Sequence, residues 1–264
     1  ALQARMSALY ARAAPLLDPP AQPVSIPYGE GCTVVGYLRR PKDADSPGLA
    51  VLIPGLESTK EQFSTYEPYF LRRGVATLSV EGPGQGEGAL SSPFRTDLYA
   101  EAMAAVAQAI GSLEAVDAER VVVVGTSFGG HLALAHAAAF PGLRGVVDIA
   151  GPYDLRAFGD LQEVTREGFR DFVDAADQDE ARRLLADVTL DGVLDRLAAP
   201  VLVVHGERDT IIDVAHAHRI AAALGDRATV RLEAGGNHSC NNLATVVRPA
   251  VADWVTDRLE STHD

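Results

Sequence analysis

The segment RVVVVGTSFGGHLAL, residues 120–134, constrains the fold more than any other part of the chain. Its consecutive valines predict a buried strand, the glycines around Ser127 predict a very tight turn, and the apolar spacing that follows predicts a helix. In this strand–turn–helix context, Gly125-x-Ser127-x-Gly129 has the pattern of a nucleophile elbow, which exposes a serine side chain at a helix N-terminus. A plain glycine-rich turn is the alternative.

Short apolar runs alternate with helical patterns along the rest of the chain. Several of the runs are continuous valine, isoleucine and leucine, as in strands that helices cover on both faces. This alternation predicts the α/β class, with a mostly parallel, doubly wound sheet. The predicted strands are residues 33–38, 49–53, 76–80, 121–124, 145–149, 201–205 and 229–232, and the predicted helices are 60–73, 96–115, 130–139, 215–224 and 246–259.

Two regions depart from this alternation. Residues 1–23 have helical spacing that stops at Pro19-Pro20, and we interpret them as an N-terminal helical segment, the remnant of a cap domain. Residues 152–199 consist of charged, helix-like pieces without a clear strand. We therefore expect a core made of residues 24–151 and 200–264, with residues 152–199 forming a helical cap insertion over the C-terminal edge of the sheet.

Composition narrows the class of partner. The net charge of −13 disfavours nucleic acid, because phosphate binding needs clustered lysine and arginine. No apolar run reaches the roughly 18 residues that cross a bilayer, so we expect no membrane partner. Two cysteines and no visible secretion leader predict a cytoplasmic protein. The chain begins without Met, so an upstream segment is expected, and a homodimer is left open.

A nucleophilic serine needs a base, and the base needs an acid that orients it. In folds of this kind the acid and the base follow late strands, in the order Ser, acid, His. Asp209 follows the strand predicted at 201–205, and His238 follows the strand predicted at 229–232. We assign Asp209 as the acid and His238 as the base. Asp213 is the alternative acid, although its position suggests the start of the next helix.

The same architecture predicts an oxyanion hole made of two backbone N–H groups. One belongs to Phe128, the residue after the proposed nucleophile. The loop after the strand at 49–53 reads PGLEST and supplies the second donor, for which Leu56 is the best candidate. Gly55 would let this backbone approach the substrate closely.

The glycine-rich loop EGPGQGEG, residues 81–88, raises the question of a bound cofactor. No helix begins at its glycines and no G-K-[ST] follows, so neither a dinucleotide fingerprint nor a phosphate loop is supported. We interpret it as a wall of the substrate pocket and predict no cofactor. The chain also has no H-E-x-x-H pattern or Cys/His cluster, so we predict no metal. His131 and His205 are interpreted as packing residues.

Four segments together resemble one group of α/β-hydrolases. PGLESTKEQ, GPGQGEG, GTSFGG and NHSCNNL are similar to the segments of 2,6-dihydroxypseudooxynicotine hydrolase and its relatives. The resemblance implies an α/β-hydrolase fold and cleavage of a carbon–carbon bond next to a ketone in a small carbonyl substrate. It implies the same triad of Ser127, Asp209 and His238, and it matches Glu57 to an acidic residue of the pocket.

This chain departs from the group at several positions. Pro54-Gly55 stands where the nicotine-pathway enzyme has Gly-Gly, and Glu81 stands where it has Asp. Ser239-Cys240-Asn241 replaces Cys-Cys-His after the base. The group carries a helical N-terminal domain, of which we interpret residues 1–23 as the remnant. These departures leave the triad residues unchanged, and they bear on which substrate the protein cleaves.

Three functional alternatives follow. The first is a C–C bond hydrolase, the second is a carboxylesterase or peptidase-like hydrolase, and the third is a non-catalytic binding protein on the same fold. Glu57 bears on this choice in one of two ways. It pairs with Lys60 or caps the helix near Ser58, or it binds the substrate and assists protonation of a carbon leaving group.

Overall fold

Eight strands form one sheet in the order β1-β2-β4-β3-β5-β6-β7-β8. The structure is a computed structural model that describes residues 2–261. The six strands from β4 to β8 run parallel, whereas β1 pairs antiparallel with β2 and β2 antiparallel with β4. The strands are β1 Gln22–Tyr28, β2 Cys32–Arg39, β3 Leu49–Ile53, β4 Ala76–Glu81, β5 Val121–Thr126, β6 Leu143–Ile149, β7 Val201–Gly206 and β8 Ala228–Glu233.

The central strands are buried on both faces, which explains their unbroken apolar sequence. Successive side chains of a strand point to opposite faces, so Val121 and Val123 pack in one core while Val122 and Val124 pack in the other. Helices complete both cores. Side chains from α3 (Thr96–Ile110), α4 (Phe128–His136) and α7 (Ala215–Leu224) complete the first core. Side chains from α2 (Glu67–Leu71) and α8 (Ala244–Glu260) complete the second. The predicted fold class, α/β with a mostly parallel, doubly wound sheet, is confirmed.

Helices on both sides of the sheet follow the predicted pattern, with differences at their ends. The segment predicted as one helix at 60–73 divides into a 3-10 helix, Lys60–Thr65, and a short α-helix that has Pro68 in its first turn. None of the helices within residues 2–261 is long and apolar enough to cross a membrane. The α-helices are α1 Leu2–Ala13, α2 Glu67–Leu71, α3 Thr96–Ile110, α4 Phe128–His136, α5 Glu163–Phe172, α6 Gln178–Leu184, α7 Ala215–Leu224 and α8 Ala244–Glu260.

The first strand, β1, was not predicted. Its sequence QPVSIPY contains Pro23 and Pro27, which lack the N–H that a central strand must donate. β1 lies at the edge of the sheet, where one row of backbone groups needs no partner, so the prolines are tolerated there. The sheet therefore begins at Gln22, inside the segment that the sequence assigned to the N-terminal helix.

The segment 152–199 contains α5, α6 and one isolated bridge between Asp154 and Thr189. Two aromatic side chains of α5 pack above the proposed nucleophile elbow. The ring of Phe169 lies 5.1 Å from that of Phe128, and the ring of Phe172 lies 4.9 Å from that of Phe94. These contacts attach the segment to the C-terminal edge of the sheet. Its division from the core as a separate cap stays a prediction.

Candidate active site

The turn between β5 and α4 holds Ser127 in a strained conformation. Its φ of 54° and ψ of −131° lie in a region that residues other than glycine rarely adopt, and this strain is typical of a nucleophile elbow. The turn is tight enough that a Cβ added to Gly125 would lie 1.9 Å from the carbonyl oxygen of Gly129. Glycine is therefore required at position 125, and the serine side chain projects from the turn.

Hydrogen bonds join Ser127, His238 and Asp209 in a continuous chain. The Ser127 hydroxyl lies 2.8 Å from Nε2 of His238, and Nδ1 of His238 lies 2.7 Å from Oδ2 of Asp209. Both distances are within reach of proton transfer between a nucleophile, a base and an orienting acid. With Nδ1–H donating to Asp209, Nε2 is the acceptor that faces the serine proton. The structure thus brings together the three residues assigned from sequence.

Asp209 is held by the loop that follows β7. Its Oδ1 accepts the backbone N–H groups of Ile211 at 2.8 Å and Ile212 at 3.0 Å. Burial disfavours the charge of this carboxylate, but the hydrogen bonds from His238 and from the backbone outweigh it and hold the pKa of Asp209 below its ordinary value. The group is therefore ionised and oriented toward His238.

Asp213, the alternative acid, has a different partner. Its carboxylate accepts the N–H of Ala215, the first residue of α7, at 2.8 Å. An acidic side chain at that place stabilises the helix N-terminus. Of the two candidates, Asp209 is the one that bonds His238.

The backbone around Leu56 lies against the elbow. A Cβ added to Gly55 would come within 2.9 Å of the Cβ of Ser127, so only glycine permits this approach. Phe128 is the first residue of α4, and its N–H has no acceptor within the helix. The positive end of the helix dipole adds to its attraction for an oxyanion. The positions of Leu56 and Phe128 fit the predicted oxyanion hole, and their role stays a prediction.

The glycine-rich loop contacts the segment that carries Leu56. Gln85 is fully buried, and its Nε2 donates to the carbonyl oxygen of Pro54 at 2.6 Å. Its Oε1 accepts the N–H of Gly82 at 3.1 Å and the hydroxyl of Tyr99 at 3.0 Å. The side chain thereby fixes the direction of the Pro54 carbonyl, one residue before Gly55. Sequence reasoning missed this role because Gln85 and Pro54 are 31 positions apart.

A buried ion cluster holds the other end of this segment. The ammonium group of Lys60 donates to Glu61 at 2.7 Å, to Glu81 at 3.0 Å and to Glu87 at 2.6 Å. The backbone N–H of Lys60 also donates to Glu81, at 2.9 Å. Glu81 and Gln85 of the glycine-rich loop together hold both ends of the 54–60 segment.

This cluster corrects one interpretation of Glu57. Lys60 does not pair with Glu57, because three other carboxylates occupy its ammonium group. Glu57 does not cap the 3-10 helix that begins at Lys60 either, since it is Glu81 that accepts the backbone N–H of Lys60. Glu57 is exposed and lies next to Gly168 of α5, where a Cβ added to the glycine would be 3.1 Å from Oε1. Its carboxylate lines the pocket described next.

A cavity of about 230 Å³ opens beside Ser127 and His238. The acidic and basic side chains in its lining are Glu57, His238 and Arg248. Sequence reasoning missed Arg248, because its contacts are made with a segment 183 positions earlier in the chain. No local pattern in α8 could have indicated them.

Two buried histidines near the site have backbone partners. Nδ1 of His131 lies 3.0 Å from the carbonyl oxygen of Pro152, and burial lowers the pKa of His131 to about 4. Nε2 of His205 lies 2.9 Å from the carbonyl oxygen of Ile212, and burial lowers its pKa as well. Both are neutral at pH 7, as packing residues should be.

Asp148 is a buried carboxyl group behind the elbow. Its Oδ1 accepts the N–H of Gly151 at 2.9 Å, whereas its Oδ2 has no hydrogen-bond partner within residues 2–261. Burial raises the pKa of Asp148 to about 7, because the charged form loses its hydration.

This raised pKa predicts a loss of stability with increasing pH. The folded protein keeps a proton on Asp148 that the unfolded chain releases at pH about 4, so the free energy of unfolding falls as pH rises toward 7. In Asp148→Asn this fall should be smaller by about 2 to 3 kcal/mol between pH 5 and 8. Urea unfolding of both proteins at the two pH values measures it. Parallel pH dependence would show that Asp148 does not titrate in this range.

The comparisons with known proteins agree with this fold. Residues 61–259 match the model of the prolyl oligopeptidase family. The chain is 32% identical over 263 residues to 2,6-dihydropseudooxynicotine hydrolase of Paenarthrobacter nicotinovorans. This alignment covers 97% of this chain and 70% of that protein. It is 37% identical over 150 residues to the hydrolase LUC6 of a Fusarium species, which covers 53% of this chain and 36% of the fungal protein.

A solved structure is similar over almost the whole chain. The crystal structure of 2,6-dihydroxy-pseudo-oxynicotine hydrolase has a TM-score of 0.91 and 32% identity, over 98% of this chain and 73% of that chain. The resemblance found in the sequence is thereby confirmed. The chain belongs to the prolyl oligopeptidase family and is a hydrolase with the α/β-hydrolase fold.

Proposed function

We propose that this protein is a serine hydrolase that cleaves a carbon–carbon bond next to a ketone. The observation that carries the proposal is the hydrogen-bonded chain from Asp209 through His238 to Ser127, at 2.7 and 2.8 Å, beside an open pocket. The similarity to 2,6-dihydropseudooxynicotine hydrolase supports a ketone as the substrate. No step of the proposed reaction requires a cofactor.

The reaction begins when Oγ of Ser127 attacks the ketone carbon and its proton passes to Nε2 of His238. The N–H groups of Leu56 and Phe128 stabilise the oxyanion that forms. Collapse of this intermediate breaks the carbon–carbon bond, and the imidazolium gives its proton to the carbon that leaves. Water, deprotonated by His238, then hydrolyses the acyl-enzyme. The products are a carboxylic acid and a fragment that carries the transferred proton.

An esterase or peptidase-like activity uses the same residues with another leaving group. An alkoxide or an amine leaves more readily than carbon, so protonation of the leaving group matters most for the ketone. Glu57 is the pocket acid that directly follows Leu56 in the chain, and it lines the same cavity as Ser127. It is therefore the residue that separates the two activities.

Glu57→Gln should slow the cleavage of a hydroxyaryl ketone by about 10²-fold, which is the scale of one positioned acid–base group. Hydrolysis of p-nitrophenyl acetate should change little, since its leaving group needs no proton. Steady-state kinetics of the variant on both substrates makes the comparison.

Glu163→Gln is the matched control. It removes an exposed carboxylate from the adjacent helix α5 without altering the cavity beside Ser127. It should leave both activities unchanged. Equal losses on both substrates for Glu57→Gln, together with a lower melting temperature, would assign Glu57 a structural role and remove this support for ketone cleavage.

A further inference from the structure

Arg248 lies in the wall of the cavity that also exposes Ser127 and His238. Two contacts fix its side chain there. The guanidinium carbon lies 4.1 Å from the ring centroid of Tyr66, and Nη1 donates to the carbonyl oxygen of Thr65 at 3.1 Å. A stacked guanidinium keeps its in-plane donors available, because the contact with the ring uses only its face. Arg248 is thus a positioned cation in the pocket.

This cation has no anionic partner within residues 2–261. The chain as a whole carries a net charge of −13. Arg248 is half-buried, and the two fully buried cations of the described chain are paired, Arg39 with Glu67 and Lys60 with three carboxylates. No carboxylate bonds Arg248, and its Nε is buried without a hydrogen-bond partner in the described chain. Of the five N–H donors of this guanidinium, one at Nη1 bonds Thr65 and the one at Nε is buried, so the other terminal N–H groups are those that can bind a ligand. In an acidic protein an arginine left unpaired beside the nucleophile indicates an external anion.

We propose that Arg248 is an anion subsite that binds a carboxylate of the substrate. The proposal rests on the proposed function and names its substrate class, ketones that carry a carboxylate. The planar fork of a guanidinium matches the two oxygens of a carboxylate, and such charge-assisted pairs are short and directional. Tyr66 and Phe63 also line the cavity next to this guanidinium.

The negative charge of Glu57 in the same pocket determines the orientation in which an anionic substrate binds. Glu57 lies beside α5, whereas Arg248 lies on α8 beside Tyr66. An anionic group is attracted by Arg248 and repelled by Glu57, so the charged end of the substrate is placed at Tyr66. In this orientation the ketone end of the substrate lies toward Ser127. Asp209 does not compete for Arg248, because it is buried and bonded to His238.

The test uses 5-oxo-5-phenylpentanoate, a ketone with one carboxylate, and its neutral amide. Both are titrated by calorimetry into the Ser127→Ala protein, which binds without turnover. The carboxylate should bind at least about tenfold more tightly than the amide, the scale of one charge-assisted pair. In Ser127→Ala/Arg248→Met this preference should disappear, and in Ser127→Ala/Arg248→Lys a part of it should remain.

Arg258→Met in the same Ser127→Ala background is the control. Arg258 lies on the same helix over the ring of Trp254, has a buried Nε without a partner, and does not line the cavity. It should leave the preference intact. Three results would overturn the proposed subsite. The Ser127→Ala protein could bind the two compounds equally, or bind neither of them. Alternatively, the preference for the carboxylate could persist in Ser127→Ala/Arg248→Met. Reaction of the unmodified protein with a neutral fluorophosphonate tests Ser127 separately, so a failed subsite and a failed nucleophile are distinguishable.

Discussion

Replacement of Ser127 by alanine is expected to lower kcat by about 10⁴-fold or more on any substrate that the protein cleaves. The change removes the attacking oxygen, which lies 2.8 Å from Nε2 of His238. His238→Ala should cause a similar loss, because nucleophile and base act as one unit. Steady-state kinetics with an activated ester measures both variants.

The two acids provide a paired control for this prediction. Asp209→Asn should lower kcat strongly, though less than the loss of the serine, because the amide no longer holds the correct tautomer of His238. Asp213→Asn should leave kcat nearly unchanged, since its carboxylate bonds the N–H of Ala215. If Asp213→Asn proved the more damaging change, the assignment of Asp209 as the acid would be wrong.

Lys60→Met is expected to lower the free energy of unfolding by about 3 to 5 kcal/mol. Lys60 is 1% exposed, and Glu81, one of its three partners, is completely buried. Without the ammonium group the charge of Glu81 would have no counterion in the interior. Burial already disfavours that charge and raises the pKa of Glu81, so the variant should take up a proton there or unfold more easily.

The chain contains one other lysine, and it is the natural control. Lys42 pairs with Asp18 at 2.5 Å, but the two side chains are 62% and 75% exposed. Exposed pairs contribute little, so Lys42→Met should cost less than about 1 kcal/mol. Urea unfolding of the three proteins gives the values. A loss for Lys60→Met no larger than that for Lys42→Met would mean that the buried cluster does not stabilise the fold.

Local sequence patterns predict a strand well where burial alone determines which residues the strand contains. The valine run of β5 is apolar without interruption because both of its faces are covered, and a pattern of that kind needs no knowledge of the partners. β1 could not be predicted in this way. Its prolines exclude a central strand, and only the complete sheet shows that the segment lies at an edge.

In the candidate site, too, some residues could be predicted from the sequence and others could not. Asp209 and His238 were assigned by a rule of chain order, since each follows a late strand of the sheet. The partners of Lys60 and Arg248 follow no such rule. Glu57 is three positions from Lys60 in sequence, yet Glu81, which is 21 positions away, receives its bonds because β4 ends beside it. Long-range contacts of this kind arise from the packing of elements, which periodicity does not encode.

The nucleophile is tested most directly by reaction with a fluorophosphonate followed by mass spectrometry of the intact protein and of its peptides. We expect one adduct per chain, located on Ser127, because His238 activates that hydroxyl through a hydrogen bond of 2.8 Å. Ser127→Ala should acquire none. Folded protein that forms no adduct, or that forms it on another residue while Ser127 stays unmodified, would contradict the proposal of a serine hydrolase.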